Sequence, residues 1–243
     1  MEERATDLSS SDRSAVSTVV SCRSVSKVYR QGEVAVYALS NVDFDIAAGE
    51  FTSLCGPSGS GKTTLLNLIG GLDSPSGGEI CVCGKRFDLL SRAELSRVRL
   101  NRLGFVFQAY NLIPVLSAQE NVEFVMQLQG VAPKQRSERA RKVLSAVGLS
   151  GMENRRPAEL SGGQQQRVAV ARAIANEPEI VLADEPTANL DSKTAESLIE
   201  LMLDLNQRLG MTFLFSTHDQ LVMDYARRLV RLKDGQIESD QLR

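Results

Sequence analysis

The chain has 243 residues, with 28 Lys and Arg against 30 Asp and Glu, one His, no Trp and 42% hydrophobic residues. This length and apolar content suit one α/β domain, with or without a smaller insertion, that buries its core without disulfide or metal staples. A formal net charge of −2 excludes the broad basic field of a general nucleic-acid binder, so any anion site must be local and no nucleic-acid partner is expected.

In chain order, residues 1–18 are Ser-rich and carry no apolar segment, so they read as a disordered tail and not a secretory signal. With the longest apolar run at residues 34–39, far below the roughly 20 of a membrane-spanning helix, a cytoplasmic location is expected. Residues 19–46 contain the alternation Val42-Asp-Phe-Asp-Ile46, the pattern of a half-buried antiparallel strand, and predict a small β-subdomain ahead of the core. Residues 51–55, 180–183 and 212–216 read as buried strands, and 61–72 and 191–209 as helices. Their alternation predicts a mostly parallel sheet flanked by helices. Between about residues 112 and 169 the pattern turns helical, with a capping box Ser117-Ala-Gln-Glu120 and Pro133 near a second helix start, so an inserted α-helical subdomain is expected. Cys22, Cys55, Cys81 and Cys83 read as reduced packing residues, because the Cys81/Cys83 pair has no second ligand pair downstream.

The segment Gly56-Pro-Ser-Gly-Ser-Gly61-Lys62-Thr63 fits G-x-x-x-x-G-K-[ST], between an apolar strand and a helix. Its glycines let the backbone wrap a phosphate with N–H groups inward, and the helix start adds its positive dipole end. Lys62 is expected on the β- and γ-phosphates and the Thr63 hydroxyl on Mg²⁺. By itself the loop indicates a nucleotide and leaves kinase, GTPase and motor ATPase open.

Downstream residues narrow this. Residues 180–183 lead into Asp184 and Glu185, two adjacent acids at a strand end. Alternation points them differently, so Asp184 is expected to hold the Mg²⁺ shell and Glu185 to polarise the water that attacks the γ-phosphate. His218, the single histidine, follows the strand at 212–216, where open α/β sheets bind ligands. A neutral imidazole N–H there is expected to donate to a γ-phosphate oxygen. Leu160-Ser161-Gly162-Gly163-Gln164 precedes a helical run over 165–176. Alone it is an ordinary capped helix. In a chain with one phosphate loop, a second anion-binding helix start suggests service to another subunit's nucleotide, and so a head-to-tail dimer.

With these motifs, Gln108 in Phe105-Val-Phe-Gln108, the run Ala188-Asn-Leu-Asp191 and Ser216-Thr-His218-Asp219, the chain resembles the ATP-binding subunits of ABC transporters over residues 19–240. The resemblance implies a P-loop NTPase (RecA-like) core with an antiparallel β-subdomain and the helical insertion. It implies Mg-dependent ATP hydrolysis with Glu185, His218, Gln108 and Lys62 in the chemistry. ATP would be held by Tyr29, stacked on adenine, and by Gly56, Pro57, Ser58, Gly59, Ser60, Gly61, Lys62, Thr63 and Thr64, with Thr63, Gln108 and Asp184 around Mg²⁺. Ser161, Gly162, Gly163, Gln164 and Asp191 would reach into the site of a second copy, so that two ATP molecules are sandwiched in a homodimer.

The stretches 90–99 and 104–122 resemble the lipoprotein-releasing, macrolide-export and FtsE-type branch of that family. This implies a separate integral-membrane permease, docked between core and helical subdomain near Gln108 and residues 111–121, and a peripheral position on the cytoplasmic face of the inner membrane. The same branch leaves open an ATPase module that regulates an envelope or cell-wall partner without carrying a substrate.

Overall fold

The computed structural model describes residues 17–32 and 34–243; the expected tail therefore lies almost wholly outside the described residues. A strand β1 (Thr18–Gln31) begins at the last residue assigned to that tail.

Two sheets organise the fold. The first is antiparallel, in the order β2 (Val34–Ala47), β1, β4 (Gly77–Val82), β5 (Lys85–Arg86). Along β2, Val42, Phe44 and Ile46 are buried between the more exposed Asp43 and Asp45, the alternation expected from the sequence. Only half of this sheet precedes the Gly-rich turn. β4 and β5 arrive after it, because β1 has two edges and a strand from the far side of the first helix pairs with the second.

The second sheet has the order β10-β9-β3-β8-β7-β6. β3 (Phe51–Cys55), β6 (Leu103–Phe107), β7 (Ile180–Asp184), β8 (Thr212–Ser216) and β9 (Arg228–Lys233) are parallel, and β10 (Gln236–Leu242) returns antiparallel on β9. Being covered on both faces, β3 and β8 are buried at every position. Alternation splits β8 between two cores: Leu214 joins Leu54, Val230 and the inner face of the antiparallel sheet, while Phe213 and Phe215 pack with Phe51 toward the helices.

Helix α1 (Lys62–Ile69) lies between the sheets with Leu65, Leu66, Leu68 and Ile69 buried, and stops at Gly70 before the expected limit of 72. There, a Cβ on Gly70 would meet the Phe105 ring at 2.8 Å. Helix α2 (Arg92–Arg102) opens on a Ser91/Glu94 capping box and leads into β6. Helix α3 (Ala118–Leu128) opens on the expected Ser117/Glu120 box, and α4 (Pro133–Ala146) on Pro133. Both pack on α5 (Gly162–Ile174), whose other buried residues join the core of the parallel sheet. Asp191 caps α6 (Ser192–Leu209), and Gly210 ends it in the left-handed region. Among the described residues, no helix is long and apolar enough to cross a membrane.

Candidate nucleotide site

The ends of β3, β6, β7 and β8 converge on one cavity of about 730 Å³, a volume within the range of small-ligand sites. Pro57, Ser58, Gly59, Gly61, Lys62, Thr63 and Thr64 form its floor. Two glycines of the loop are dictated by close approach. A Cβ on Gly56 would stand 2.1 Å from the Leu232 carbonyl of β9, and Gly61, at φ +102°, lies against the Ala38 carbonyl. Gly61 caps α1 without any side-chain hydrogen bond, so the first-turn amides keep their donors directed at the cavity. Lys62 is 7% exposed, and its ammonium donates to the Gly56 and Pro57 carbonyls at 2.8 and 3.0 Å.

The opposite wall carries Gln108, Glu185, Ala188 and His218. Thr63 Oγ1 donates to Asp184 Oδ1 at 3.1 Å, which joins the loop to the end of β7. A hydroxyl and a carboxylate placed together are hard oxygen donors of the kind Mg²⁺ takes, and it commonly uses few protein ligands because water and substrate phosphate supply the rest. The residues present therefore fit this ion. Glu185 is in the left-handed region at φ 46°, a conformation that a non-Gly residue holds only when its surroundings impose it. Its N–H donates to the Ser216 carbonyl at 2.9 Å, Thr217 Oγ1 donates to its Oε2 at 3.0 Å, and His218 Nδ1 is 2.7 Å from its Oε1. Thr217 in turn accepts the Asp219 N–H, and Asp219 accepts the Thr187 hydroxyl.

This contact bears on the expectation for His218. An ionised carboxylate only accepts, so Nδ1 carries the proton of the pair and a neutral ring presents Nε2 as a lone pair. Donation from Nε2 to a phosphate oxygen requires the imidazolium.

Other expected residues fall elsewhere. Tyr29 does not line the cavity. Its hydroxyl donates to Asp73 at 2.8 Å, and on the neighbouring strand its register partner Val36, with Tyr37 and Ala38, forms that wall. Val36, Tyr37 and Ala38 carry no motif; the alternation of a strand leading to the loop was the only signal for them. Ser161, Gly162, Gly163, Gln164 and Asp191 also lie outside this cavity. Ser161 and Gln164 form a reciprocal capping box that engages their own amides and not those of Gly162 and Gly163. Both glycines answer to packing within the chain: a Cβ on Gly162 would meet Tyr110 Oη at 2.9 Å, and one on Gly163 would meet Thr194.

A Gly-rich strand-to-helix loop, a buried lysine, and a Thr/Asp pair beside a second carboxylate define a P-loop nucleotide hydrolase. The family model described as "ABC transporter" matches residues 39–188. An uncharacterized ABC transporter ATP-binding protein of Methanocaldococcus jannaschii, MJ0796, is 44% identical over 92% of this chain and 97% of its own length. The lipoprotein-releasing system ATP-binding protein LolD of Idiomarina loihiensis is 43% identical over 90% and 96%. The macrolide export ATP-binding/permease protein MacB of Marinobacter nauticus is 45% identical over 91% of this chain, which spans 34% of MacB. A dimeric post-hydrolysis structure of MJ0796 bound to ADP and Pi superposes with a TM-score of 0.85 at 45% identity, covering 92% of this chain and 98% of the other. The chain belongs to the ABC transporter family and is one of its ATP-binding, ATP-hydrolysing cassettes.

Proposed function

We propose that the chain works as the ATPase subunit of an envelope transporter of the lipoprotein-releasing or macrolide-export type, paired with a second copy of itself and a separate membrane permease. The observation that carries the ATPase chemistry is the position of Glu185. It lies in the cavity wall opposite the loop with both oxygens held, and each oxygen keeps a second lone pair for a water proton. In this reading the loop amides and Lys62 bind the β- and γ-phosphates. Thr63 and Asp184, with Gln108, would hold Mg²⁺, which would supply charge neutralisation on the phosphate oxygens. Glu185 takes the proton of the in-line water, and His218 orients that carboxylate and faces the phosphate. Val36 and Tyr37, on the strand wall of the cavity, receive the base.

Residues 161–164 and Asp191 lie away from their own chain's cavity, which supports their use across a dimer by the second copy. ATP bound from both sides closes such a dimer, and hydrolysis removes the bridge. A permease segment fits the groove of about 370 Å³ between β6, α3 and α5, whose wall includes Leu72, Phe105, Asn111 and Val125. Docking there places the chain on the cytoplasmic face of the membrane. Glu185→Gln tests the reading: the variant should bind ATP, stop turnover and accumulate as an ATP-bound dimer in gel filtration. Rapid hydrolysis by it would overturn the assignment.

A further inference from the structure

One fully buried side chain joins both sides of the γ-phosphate end of the cavity. Gln166, on α5, is 0% exposed. Its Nε2 donates to the Phe107 carbonyl at 3.3 Å and to the Pro186 carbonyl at 2.8 Å. Phe107 immediately precedes Gln108, and Pro186 immediately follows Glu185. The orientation of the amide is fixed by its neighbours, since the flipped form would set its oxygen against two carbonyl oxygens. The position makes use of the donors at the expense of the acceptor: Oε1 is buried with no hydrogen-bond partner among the described residues.

The two bonds add to a set of restraints around the ends of β6 and β7, where Asn189 Nδ2 also donates to the Gln108 carbonyl at 2.9 Å and the Ala188 N–H to the Glu185 carbonyl at 3.3 Å. Pro186 has no N–H, so its carbonyl is its one main-chain hydrogen-bonding group. It follows directly on Glu185, whose left-handed backbone must be held from outside. On the other side, the Phe107 carbonyl also accepts the Tyr110 N–H at 3.3 Å, and Arg172, further along α5, donates to the Tyr110 carbonyl at 2.8 Å. The turn that carries Gln108 is thus fastened to α5 at both ends. The same helix begins at Ser161.

We propose that Gln166 is a positioning residue for ATP hydrolysis, setting the separation of Gln108 and Glu185 and tying it to the helix that presents Ser161 to the second subunit. The proposal rests on the roles given to Gln108 and Glu185 above. Removing both donors at nearly constant volume, as in Gln166→Met, leaves nucleotide contacts untouched and frees the two loops to shift. A displacement of about 1 Å lowers turnover by up to about 100-fold.

Steady-state ATPase kinetics on the full chain test it. Gln166→Met should lower kcat by roughly 10- to 100-fold with KM little changed. Gln166→Glu, whose carboxyl burial holds neutral and able to donate one of the two bonds, should retain an intermediate kcat and gives a second reading if the Met variant does not fold. The double variant Gln108→Ala/Gln166→Met should lose less than the product of the single losses, because both act through one group. A Gln166→Met enzyme with wild-type kcat, a Glu variant no better than the Met variant, or fully multiplicative losses in the double variant would each overturn the proposal. Glu185→Gln, assayed alongside, separates the two readings: rapid turnover there defeats the base assignment, whereas an inactive Glu185→Gln beside a fully active Gln166→Met defeats Gln166 alone.

Discussion

Gly163, in the first turn of α5, lies directly against Thr194, in the first turn of α6: a Cβ at Gly163 would stand 2.3 Å from Thr194 Cγ2. Thr194 is itself fastened to Asp191, with its amide on Oδ1 at 3.1 Å and its hydroxyl on Oδ2 at 2.6 Å. The two segments proposed to serve a second subunit are therefore in register with each other before any partner arrives.

Gly163→Ala should destabilise the isolated chain by about 1–3 kcal/mol through overpacking. Thr194→Ser removes the offending methyl and keeps the hydroxyl for Asp191, so the double variant should recover. It should reach or exceed the stability of the parent, because Ala in a helix gains about 1 kcal/mol over Gly. Urea unfolding of the four proteins measures this, and an unperturbed Gly163→Ala single variant would contradict it.

A dimer of one Lys62→Ala chain and one Ser161→Arg chain should hydrolyse ATP at one site. If each site takes its loop from one chain and Ser161 from the other, both defects fall in the same site and the second remains intact. Tagged, co-purified heterodimers should show roughly half of parental activity, while each homodimeric variant is inactive. An inactive heterodimer would mean that Ser161 serves its own chain.

Thr63→Ala deletes the hydroxyl that meets Asp184. The Mg²⁺ concentration for half-maximal hydrolysis should rise by about 10-fold or more, and Thr63→Ser should restore it. Titration of activity with MgCl₂ at fixed ATP reads the effect; an unchanged midpoint would place the ion elsewhere.

Asp73 ties β1 to the end of α1. Partial burial raises its carboxyl pKa, but hydrogen bonds from Lys27 and Tyr29, at 2.6 and 2.8 Å, outweigh this and leave it below the ordinary carboxylate value. A depressed folded pKa contributes stability that is present above the unfolded value of about 3.9 and is lost as pH falls through the folded one. Asp73→Asn should therefore lower the thermal midpoint at neutral pH and converge with the parent in acid. A constant difference across the acid range would assign the effect to packing.

Legibility in the sequence followed the reach of each signal. The phosphate loop, the paired acids and the Ser117 and Ser161 caps are local and contiguous, so they stand at the element ends the residues indicate, although the helix expected over 165–176 runs over Gly162–Ile174, directly from its cap. The Ser91/Glu94 box at the head of α2 has the same signature as the Ser117 box and could have been read in the same way. The sheet partners of β1 could not, because pairing with a strand beyond α1 is decided by packing across the interior. Gln166 was hidden for a similar reason. As one of three consecutive glutamines, it is distinguished only by its direction into the core, toward carbonyls contributed by residues 59 and 20 positions away. Tyr29 and Tyr37 are separated by strand register, which the alternation alone does not assign.

The phosphate loop takes its last walls from far along the chain. Leu232 of β9 closes on Gly56, and the Gly235 N–H donates to the Ser60 carbonyl at 3.1 Å. During synthesis at about 5–20 residues per second, the loop is made roughly 10 to 35 s before the residues that enclose it. A nascent chain thus passes through a long interval in which it displays the motif without the strand and turn that pack behind it.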